Sequence, residues 1–136
     1  MFQGLIAASL GHTGRFVLPN GWRGYFADGQ AVVSRSNDDC WRVYPAAAWD
    51  AWAANFTGKV PKQRCAKRPF VHVIGNSRVA AVDKQGRIAI PARLRATMNI
   101  PVLPCAAVLA GRENFFEVWC RENWERGYSP APERGQ

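Results

Sequence analysis

The sequence predicts a β-rich α+β protein, made of two similar half-domains related by a pseudo-two-fold axis, with short helices on the outside. Three observations support this prediction. One motif occurs twice with identical spacing, short runs alternate between apolar and other residues, and a proline stands where a strand ends and a helix begins. A chain of 136 residues is one ordinary domain or two very small ones, and the duplication favours two small units that share one core.

The duplicated motif reads glycine, arginine, hydrophobic, any residue, hydrophobic, proline and, four positions after the proline, a second arginine. It runs from Gly14 to Arg23 in the first copy and from Gly86 to Arg95 in the second. The corresponding pairs are Gly14 and Gly86, Arg15 and Arg87, Pro19 and Pro91, and Arg23 and Arg95. Because a repeat normally marks a repeated structural unit, the same basic side chains are expected at two equivalent places.

Each copy is expected to begin with a strand, a tight turn and a second short strand. The expected strands are 5–10, 16–18, 79–82 and 88–90, and the second strand of each copy alternates between apolar and other residues. The turn of the second copy has Asp83 at its first and Gly86 at its fourth position, as type I turns prefer. The turn of the first copy is expected at 11–14. Each copy should therefore open with a hairpin-like unit.

A short helix is expected after each of the two prolines, because proline fits the first turn of a helix but cannot donate to a β-ladder. Apolar side chains then share one helix face. They are Trp22 and Phe26 in the first copy, and Leu94 and Met98 in the second.

Two further strands follow in each copy, and a short helix closes it. The expected strands are 31–33, 41–44, 106–109 and 116–119. Those at 41–44 and 116–119 alternate between apolar and charged residues, which is typical of half-buried strands. The closing helix of the first copy is expected at 45–56, and Trp124 in the second copy corresponds to Trp49 in the first.

The sequence contains no recognisable catalytic, cofactor or metal motif, so no catalytic residue, cofactor or small-molecule substrate is predicted. Its cysteines are Cys40, Cys65, Cys105 and Cys120. None of them forms a C-x-x-C pair, and both histidines lie far from any cysteine in sequence, which disfavours zinc. We expect reduced, mostly buried thiols. A cysteine nucleophile with a histidine partner stays open, although nothing in the local sequence would activate one.

No membrane segment or signal peptide is predicted. No apolar run approaches the roughly 18 residues that a membrane span needs. The N-terminal residues have neither a charged start nor an apolar segment of the kind that signal peptides carry. We therefore expect a cytoplasmic protein.

The net charge of +8 is concentrated in one segment. Residues 58–78 hold six basic residues and no acidic one, whereas residues 1–57 hold four of each and residues 79–136 hold eight basic and six acidic. The six are Lys59, Lys62, Arg64, Lys67, Arg68 and Arg78. Such a segment would attract a polyanion, most simply nucleic acid. A solvated linker is the alternative, and for a charge run alone it is the commoner one.

The turn of the second copy brings basic side chains close to a glycine that lets a partner approach the backbone. Lys84 and Arg87 lie on this turn, and Arg15 is the counterpart of Arg87 in the first copy. Arginine can meet a phosphate or a guanine edge with two parallel hydrogen bonds. The structural alternative is a local salt bridge between Asp83 and Arg87 that holds the turn.

A second alternative concerns the arginine that ends each copy of the motif. Arg23 and Arg95 follow a proline by four residues, so they could contact DNA, face solvent or pair with an acid.

Several stretches of the chain resemble a known family. The stretch 82–95 resembles the signature of SpoVT/AbrB-type swapped-hairpin domains. The tandem arrangement, the Phe-Phe-Glu-Val-Trp run at 115–119 followed by Trp124, and the Met-Phe-x-Gly start resemble the MraZ family in particular. The resemblance covers about residues 2–126.

The resemblance implies a bacterial transcriptional regulator of the division and cell-wall gene cluster. Such proteins form ring-shaped homo-oligomers and bind short direct repeats in double-stranded DNA upstream of their own operon, so the protein should be nucleoid-associated. The implied division is a first SpoVT/AbrB-like repeat at 1–57, a basic connector at 58–78, a second repeat at 79–128 and a disordered tail at 129–136.

The resemblance also implies which residues contact DNA. The family's D-x-x-x-R pair falls on Asp83 and Arg87, with Lys84 beside them, whereas in the first copy Gly11 replaces the aspartate and only Arg15 carries over. We therefore expect firmer DNA contacts from the second copy. The predicted DNA-binding residues are Arg15, Lys84, Arg87, Arg23 and Arg95, and the predicted turn-orienting residues are Asp83, Gly14 and Gly86.

Three other functions remain open. An antitoxin of the same swapped-hairpin class would bind DNA but should carry a long C-terminal arm, and the tail after Tyr128 is short for one. An assembly module would form rings without binding DNA. A small enzyme is the third alternative, and it has no residue set to support it.

Overall fold

A computed structural model describes residues 2–36, 38–51, 77–96 and 98–127. Its strands are β1 (Leu5–Leu10), β2 (Arg15–Val17), β3 (Gln30–Arg35), β4 (Trp41–Pro45), β5 (Ser77–Ala81), β6 (Arg87–Ala89), β7 (Cys105–Gly111) and β8 (Phe116–Cys120). Its helices are α1 (Asn20–Arg23), which continues into a 3-10 turn (Gly24–Phe26), α2 (Ala92–Arg95) and α3 (Arg121–Gly127), and residues 46–51 are also helical.

Several predicted segments lie outside the described residues. They are 58–76 of the basic connector, 52–56 of the closing helix, and the tail at 129–136. The last two residues of the predicted connector, Ser77 and Arg78, already belong to β5. The division into two repeats, a connector and a tail stays a prediction.

The strands form one large sheet and one small ribbon, which confirms the β-rich α+β fold class. Six antiparallel strands are ordered β1-β7-β8-β4-β3-β5, and β2 pairs only with β6. The corresponding strands of the two copies are β1 and β5, β3 and β7, and β4 and β8. When each pair is exchanged, the same strand order is read in reverse, so the sheet has the symmetry of the repeat. The first strand of each copy therefore pairs with the other copy: Leu5 lies opposite Ala110, and Ala81 lies opposite Gln30.

The predicted hairpins are right at their turns and wrong in their strand pairing. The backbone N–H of Gly14 donates to the carbonyl of Gly11 at 2.9 Å, and that of Gly86 donates to Asp83 at 2.9 Å, as expected of tight turns. Beyond each turn the two strands separate, because β1 pairs with β7 and β2 pairs with β6. The hydrogen-bonding partners that a local hairpin would supply come instead from the other copy.

One face of the large sheet packs on an aromatic core centred on Phe116. Its ring centroid lies 4.9 Å from that of Trp22, 5.3 Å from Phe2, 6.1 Å from Phe16 and 6.2 Å from Phe26. The apolar positions predicted from alternation are buried here as well, namely Phe16, Leu18, Ile88 and Ile90. The core therefore combines side chains of both copies.

The expectation of a half-buried strand at 116–119 is wrong, since all five residues of β8 are buried. The reason is a second apolar cluster on the opposite face of the sheet, where Trp119 packs edge-on against Trp124 at 5.6 Å. Glu117 is only 6% exposed on that face. Its Oε1 accepts hydrogen bonds from Arg112 Nη2 at 3.2 Å and Trp119 Nε1 at 3.0 Å, which compensate for burial of the carboxylate.

Replacing Phe116 with alanine should lower the free energy of unfolding by about 3–5 kcal/mol, because a fully buried ring at the centre of the aromatic core would leave a cavity. Urea denaturation measures the change. Val79→Ala is the matched control: this side chain is 66% exposed on β5, so its loss should change stability by no more than about 0.5 kcal/mol. Similar losses for the two variants would contradict the assignment of Phe116 to the core.

Candidate nucleic-acid interface

The ribbon of β2 and β6 presents one arginine from each copy on its outer face. In the middle of the ribbon Phe16 pairs with Ile88, and both side chains are buried against the core. Arg15 directly precedes Phe16 and Arg87 directly precedes Ile88, so strand alternation turns both arginines to the opposite face. The two arginines occupy diagonal positions, for which the typical separation is about 7–8 Å.

In the second turn Asp83 holds Arg87 in place. One carboxylate oxygen, Oδ2, accepts from Arg87 Nε at 2.8 Å. The other, Oδ1, accepts from the backbone N–H groups of Arg87 at 2.8 Å and Gln85 at 2.9 Å. The Gln85 side chain accepts a further hydrogen bond from Arg87 Nη2 at 3.1 Å. Both the acid and the arginine are about 40% exposed, at 38% and 40%.

This salt bridge is the structural alternative considered for the turn, and it is compatible with a binding role. Arginine has five N–H donors, and the described contacts of the Arg87 side chain use two of them. The remaining three are on its terminal nitrogens and stay available. The salt bridge therefore orients the guanidinium and leaves donors for a ligand.

The same contacts lower the pKa of the Asp83 carboxyl below its ordinary value. The backbone N–H of Arg87 contributes most to this shift, and the Arg87 guanidinium and the backbone N–H of Gln85 add to it. The shift favours the ionised carboxylate, which is the form that accepts these hydrogen bonds.

The first turn has the same backbone without the carboxylate. Gly11 N–H donates to the carbonyl of Arg15 at 2.9 Å, just as Asp83 N–H donates to Arg87 at 3.0 Å. Because Gly11 has no side chain, nothing on this turn braces Arg15, whose exposed side chain makes no hydrogen bond within the described residues. Lys84 is likewise exposed at the tip of the second turn.

The two motif glycines join the copies. Gly14 and Gly86 have φ values of 76° and 77°, in the left-handed region that favours glycine. The carbonyl of Gly86 accepts from the backbone N–H of Leu18 at 2.8 Å, and the carbonyl of Gly14 accepts from Ile90 at 2.8 Å. Each turn is thus bonded to the residue that precedes the motif proline of the other copy.

Arg23 and Arg95 lie at the same junction. Arg23 Nε donates to the carbonyl of Leu18 at 3.3 Å, and Arg95 Nε donates to Ile90 at 3.1 Å. A β-carbon added to Gly86 would lie 2.7 Å from Arg23 Cζ, and one added to Gly14 would lie 3.0 Å from Arg95 Cδ. Each arginine therefore lies against the turn of the other copy.

Sequence reasoning missed this crossing. The available signal was the fixed spacing of glycine and arginine in both copies. The spacing is the same in both copies because each copy supplies one turn and also the arginine that covers the turn of the other copy. In the described part of the chain neither arginine pairs with an acid, which was one alternative considered for them.

Burial keeps two of the described cysteines, Cys40 and Cys120, from acting as nucleophiles. Burial raises the pKa of the Cys40 thiol to about 12, and burial together with the neighbouring Cys105 raises that of Cys120 to about 12. Both thiols stay protonated at neutral pH. Cys65 lies outside the described residues.

Across the residues that the structure describes, no three histidine, cysteine or acidic side chains are grouped as a metal site requires. None of the described helices has the length and apolar character to cross a membrane.

Comparison with known proteins identifies the family. The "Transcriptional regulator MraZ" of Pediococcus pentosaceus is 34% identical over 126 residues, which span 92% of this chain and 85% of that protein. The chain belongs to the MraZ family. The MraZ proteins of Thermomicrobium roseum and Alcanivorax borkumensis are 32% and 33% identical, and each match covers 91% of this chain. Residues 74–133 also match the family model "MraZ protein, putative antitoxin-like".

Substituting the glycine of the second turn tests the junction. Gly86→Ala should destabilise the protein, because alanine at this φ costs about 1–2 kcal/mol and its β-carbon would overlap Arg23. In an Arg23→Ala background the overlap is gone, so the cost of Gly86→Ala should fall to the backbone contribution alone. Chemical denaturation of the four proteins measures the difference.

Gly21→Ala is the matched control for this series. A β-carbon there meets no atom within 4 Å, and the residue lies in α1, so alanine should be neutral or stabilise by up to about 1 kcal/mol. The same cost for Gly86→Ala with and without Arg23 would show that the arginine does not cover the turn.

The stabilisation that the Asp83–Arg87 salt bridge gives to the second turn should depend on pH. Since the pKa of Asp83 is lower in the folded than in the unfolded protein, its contribution is complete above the unfolded pKa and is lost as pH falls through the folded pKa. In an NMR titration of the Asp83 carboxyl carbon, Arg87→Gln should raise this pKa part of the way to its ordinary value, since the two backbone donors remain. Arg93→Gln, an exposed arginine on α2, should leave it unchanged. An unchanged pKa in Arg87→Gln would rule out the side-chain brace.

Proposed function

We propose that this protein is a transcriptional regulator that binds double-stranded DNA sequence-specifically, without catalysis, through the β2–β6 ribbon and the two turns beside it. The observation that carries the proposal is the pair of outward arginines, Arg15 and Arg87, one from each copy on a single ribbon. The relatives' common name, transcriptional regulator, agrees with it.

A two-stranded ribbon suits the proposed ligand. The major groove of B-DNA admits a two-stranded β-ribbon, and an arginine on its outer face can donate two parallel hydrogen bonds to a guanine edge or a phosphate. Lys84 extends from the neighbouring turn and adds a charge for the phosphate backbone. The basic connector, Lys59 to Arg68, would add sequence-independent attraction, although its residues lie outside the described ones.

One ribbon covers only a short stretch of DNA, so strong binding requires several copies. We propose that the protein forms a ring-like homo-oligomer whose ribbons bind direct repeats upstream of the division and cell-wall gene cluster. Linking binding sites in this way raises avidity by about 10²–10⁴-fold without any new contact. The proposed location is the cytoplasm, in association with the nucleoid.

An antitoxin that also binds DNA is the second candidate, and the wording of the matched family model favours it. The two functions share the DNA interface and differ in whether a protein toxin binds as well. Co-purification with the products of neighbouring genes, followed by mass spectrometry, separates them.

Arg87→Ala should weaken binding to the DNA upstream of the protein's own gene by about 1–3 kcal/mol, or roughly 5- to 150-fold, while leaving the fold intact. The reason is that Arg87 is the oriented guanidinium of the ribbon. Fluorescence anisotropy with labelled duplexes measures the affinity, and circular dichroism checks the fold.

Arg93→Ala removes the same charge from the exposed side of α2 and is the control, expected to change affinity far less. Affinity of the unmodified protein should also fall steeply with salt. Equal effects of Arg87→Ala and Arg93→Ala, or an affinity insensitive to salt, would argue against the proposed interface. Rings that bind no promoter DNA would indicate an assembly module instead.

A further inference from the structure

The second turn is flanked by a cation that its own copy does not supply. Arg23 belongs to the first copy, yet its guanidinium covers Gly86, the residue next to Arg87. Its Nε is used by the carbonyl of Leu18. The four N–H groups of its terminal nitrogens make no hydrogen bond within the described residues, and the side chain is half-buried beside the turn.

Charge accumulates at this turn as a result. Arg23, Lys84 and Arg87 bring three cations to a turn whose sole carboxylate, Asp83, is already engaged by Arg87. Neighbouring like charges repel, and a bound oxyanion relieves that repulsion. The planar fork of arginine fits the oxygens of a phosphate group particularly well.

The first turn repeats the arrangement with the copies exchanged. Arg95 of the second copy lies against Gly14, the residue next to Arg15, and its Nε is used by the carbonyl of Ile90. The turn at 11–15 contains no acidic residue. Two arginines, one from each copy, therefore lie at this turn.

We propose that each turn is a composite phosphate-binding site, completed by the arginine of the other copy: Arg23 acts with Arg87, and Arg95 acts with Arg15. The ligand class is the phosphate groups of the DNA backbone, so this inference rests on the proposed function. Each arginine therefore acts with the turn arginine of the other copy, although its neighbour in sequence is the turn arginine of its own copy.

Double-mutant cycles of DNA affinity test the pairing. Arg23→Gln, Arg87→Gln and Arg15→Gln are made singly and as the Arg23/Arg87 and Arg23/Arg15 doubles, and binding to the upstream DNA is measured by anisotropy. The Arg23/Arg87 double should depart from the product of its single effects by about threefold or more, whereas the Arg23/Arg15 double should agree with the product within about twofold. The Arg95 series, with the partners exchanged, repeats the test independently.

Salt dependence separates a phosphate contact from a merely structural role. Arg23→Gln should lower the slope of log affinity against log salt by about one, and Arg23→Lys, which keeps the charge, should restore it. Arg93→Gln is the charge-matched control and should leave the slope close to that of the unmodified protein. Thermal melting followed by circular dichroism confirms that each variant is folded.

Coupling of Arg23 to Arg15 instead of Arg87, or an unchanged salt slope in a folded Arg23→Gln variant, would overturn the composite sites and leave the DNA-binding proposal in place. Failure of the unmodified protein to bind either the upstream DNA or a random duplex would overturn both.

Discussion

The structure depends on a reciprocal junction between the two copies of one motif. The carbonyl of each turn glycine accepts the backbone N–H that precedes the proline of the other copy, at 2.8 Å in both cases. The arginine four residues after that proline then lies against the same glycine. A side chain at Gly14 or Gly86 would crowd the arginine of the other copy, and the positive φ would strain it as well.

This junction explains why the copies form one core. Once β2 and β6 pair with each other, β1 and β5 are directed toward the strands of the opposite copy, and the six-stranded sheet interleaves both. Trp41 of the first copy also donates its indole N–H to the carbonyl of Leu94 in the second, at 2.9 Å. A unit of half this length buries a smaller fraction of its surface and is only marginally stable alone, whereas shared strands give both copies one larger core.

The two turns have the same backbone and different electrostatics. In the second, a carboxylate fixes Arg87 and lowers its own pKa through the bonds that it accepts. In the first, Gly11 leaves Arg15 without such a brace. A fixed guanidinium loses less entropy when it forms directional hydrogen bonds, whereas an unbraced one adapts more readily to a phosphate. The repeat thus provides two equivalent arginine positions, and they differ because Asp83 and Gln85, which contact Arg87, are replaced by Gly11 and Thr13 in the first copy.

The local elements were predictable from the sequence because their causes are local. Strand alternation at Phe16 and Ile88, the turn chemistry of Asp83 and Gly86, and the proline at each helix start depend on neighbours a few residues away. The family was recognisable for the same reason, since the 82–95 signature is continuous in sequence.

Pairing and burial were not predictable, because they depend on residues far apart in the chain. The sequence determined that Gly14 and Arg15 recur as Gly86 and Arg87, and it therefore determined the repeated turn. Only the tertiary structure decided that β1 pairs with β7 of the other copy, that the charged position Glu117 is buried, and that Arg23 lies against Gly86. The physical reason is the same in each case: a backbone donor, a carboxylate and a guanidinium are stabilised by the partners that folding brings close, and sequence order does not specify those partners.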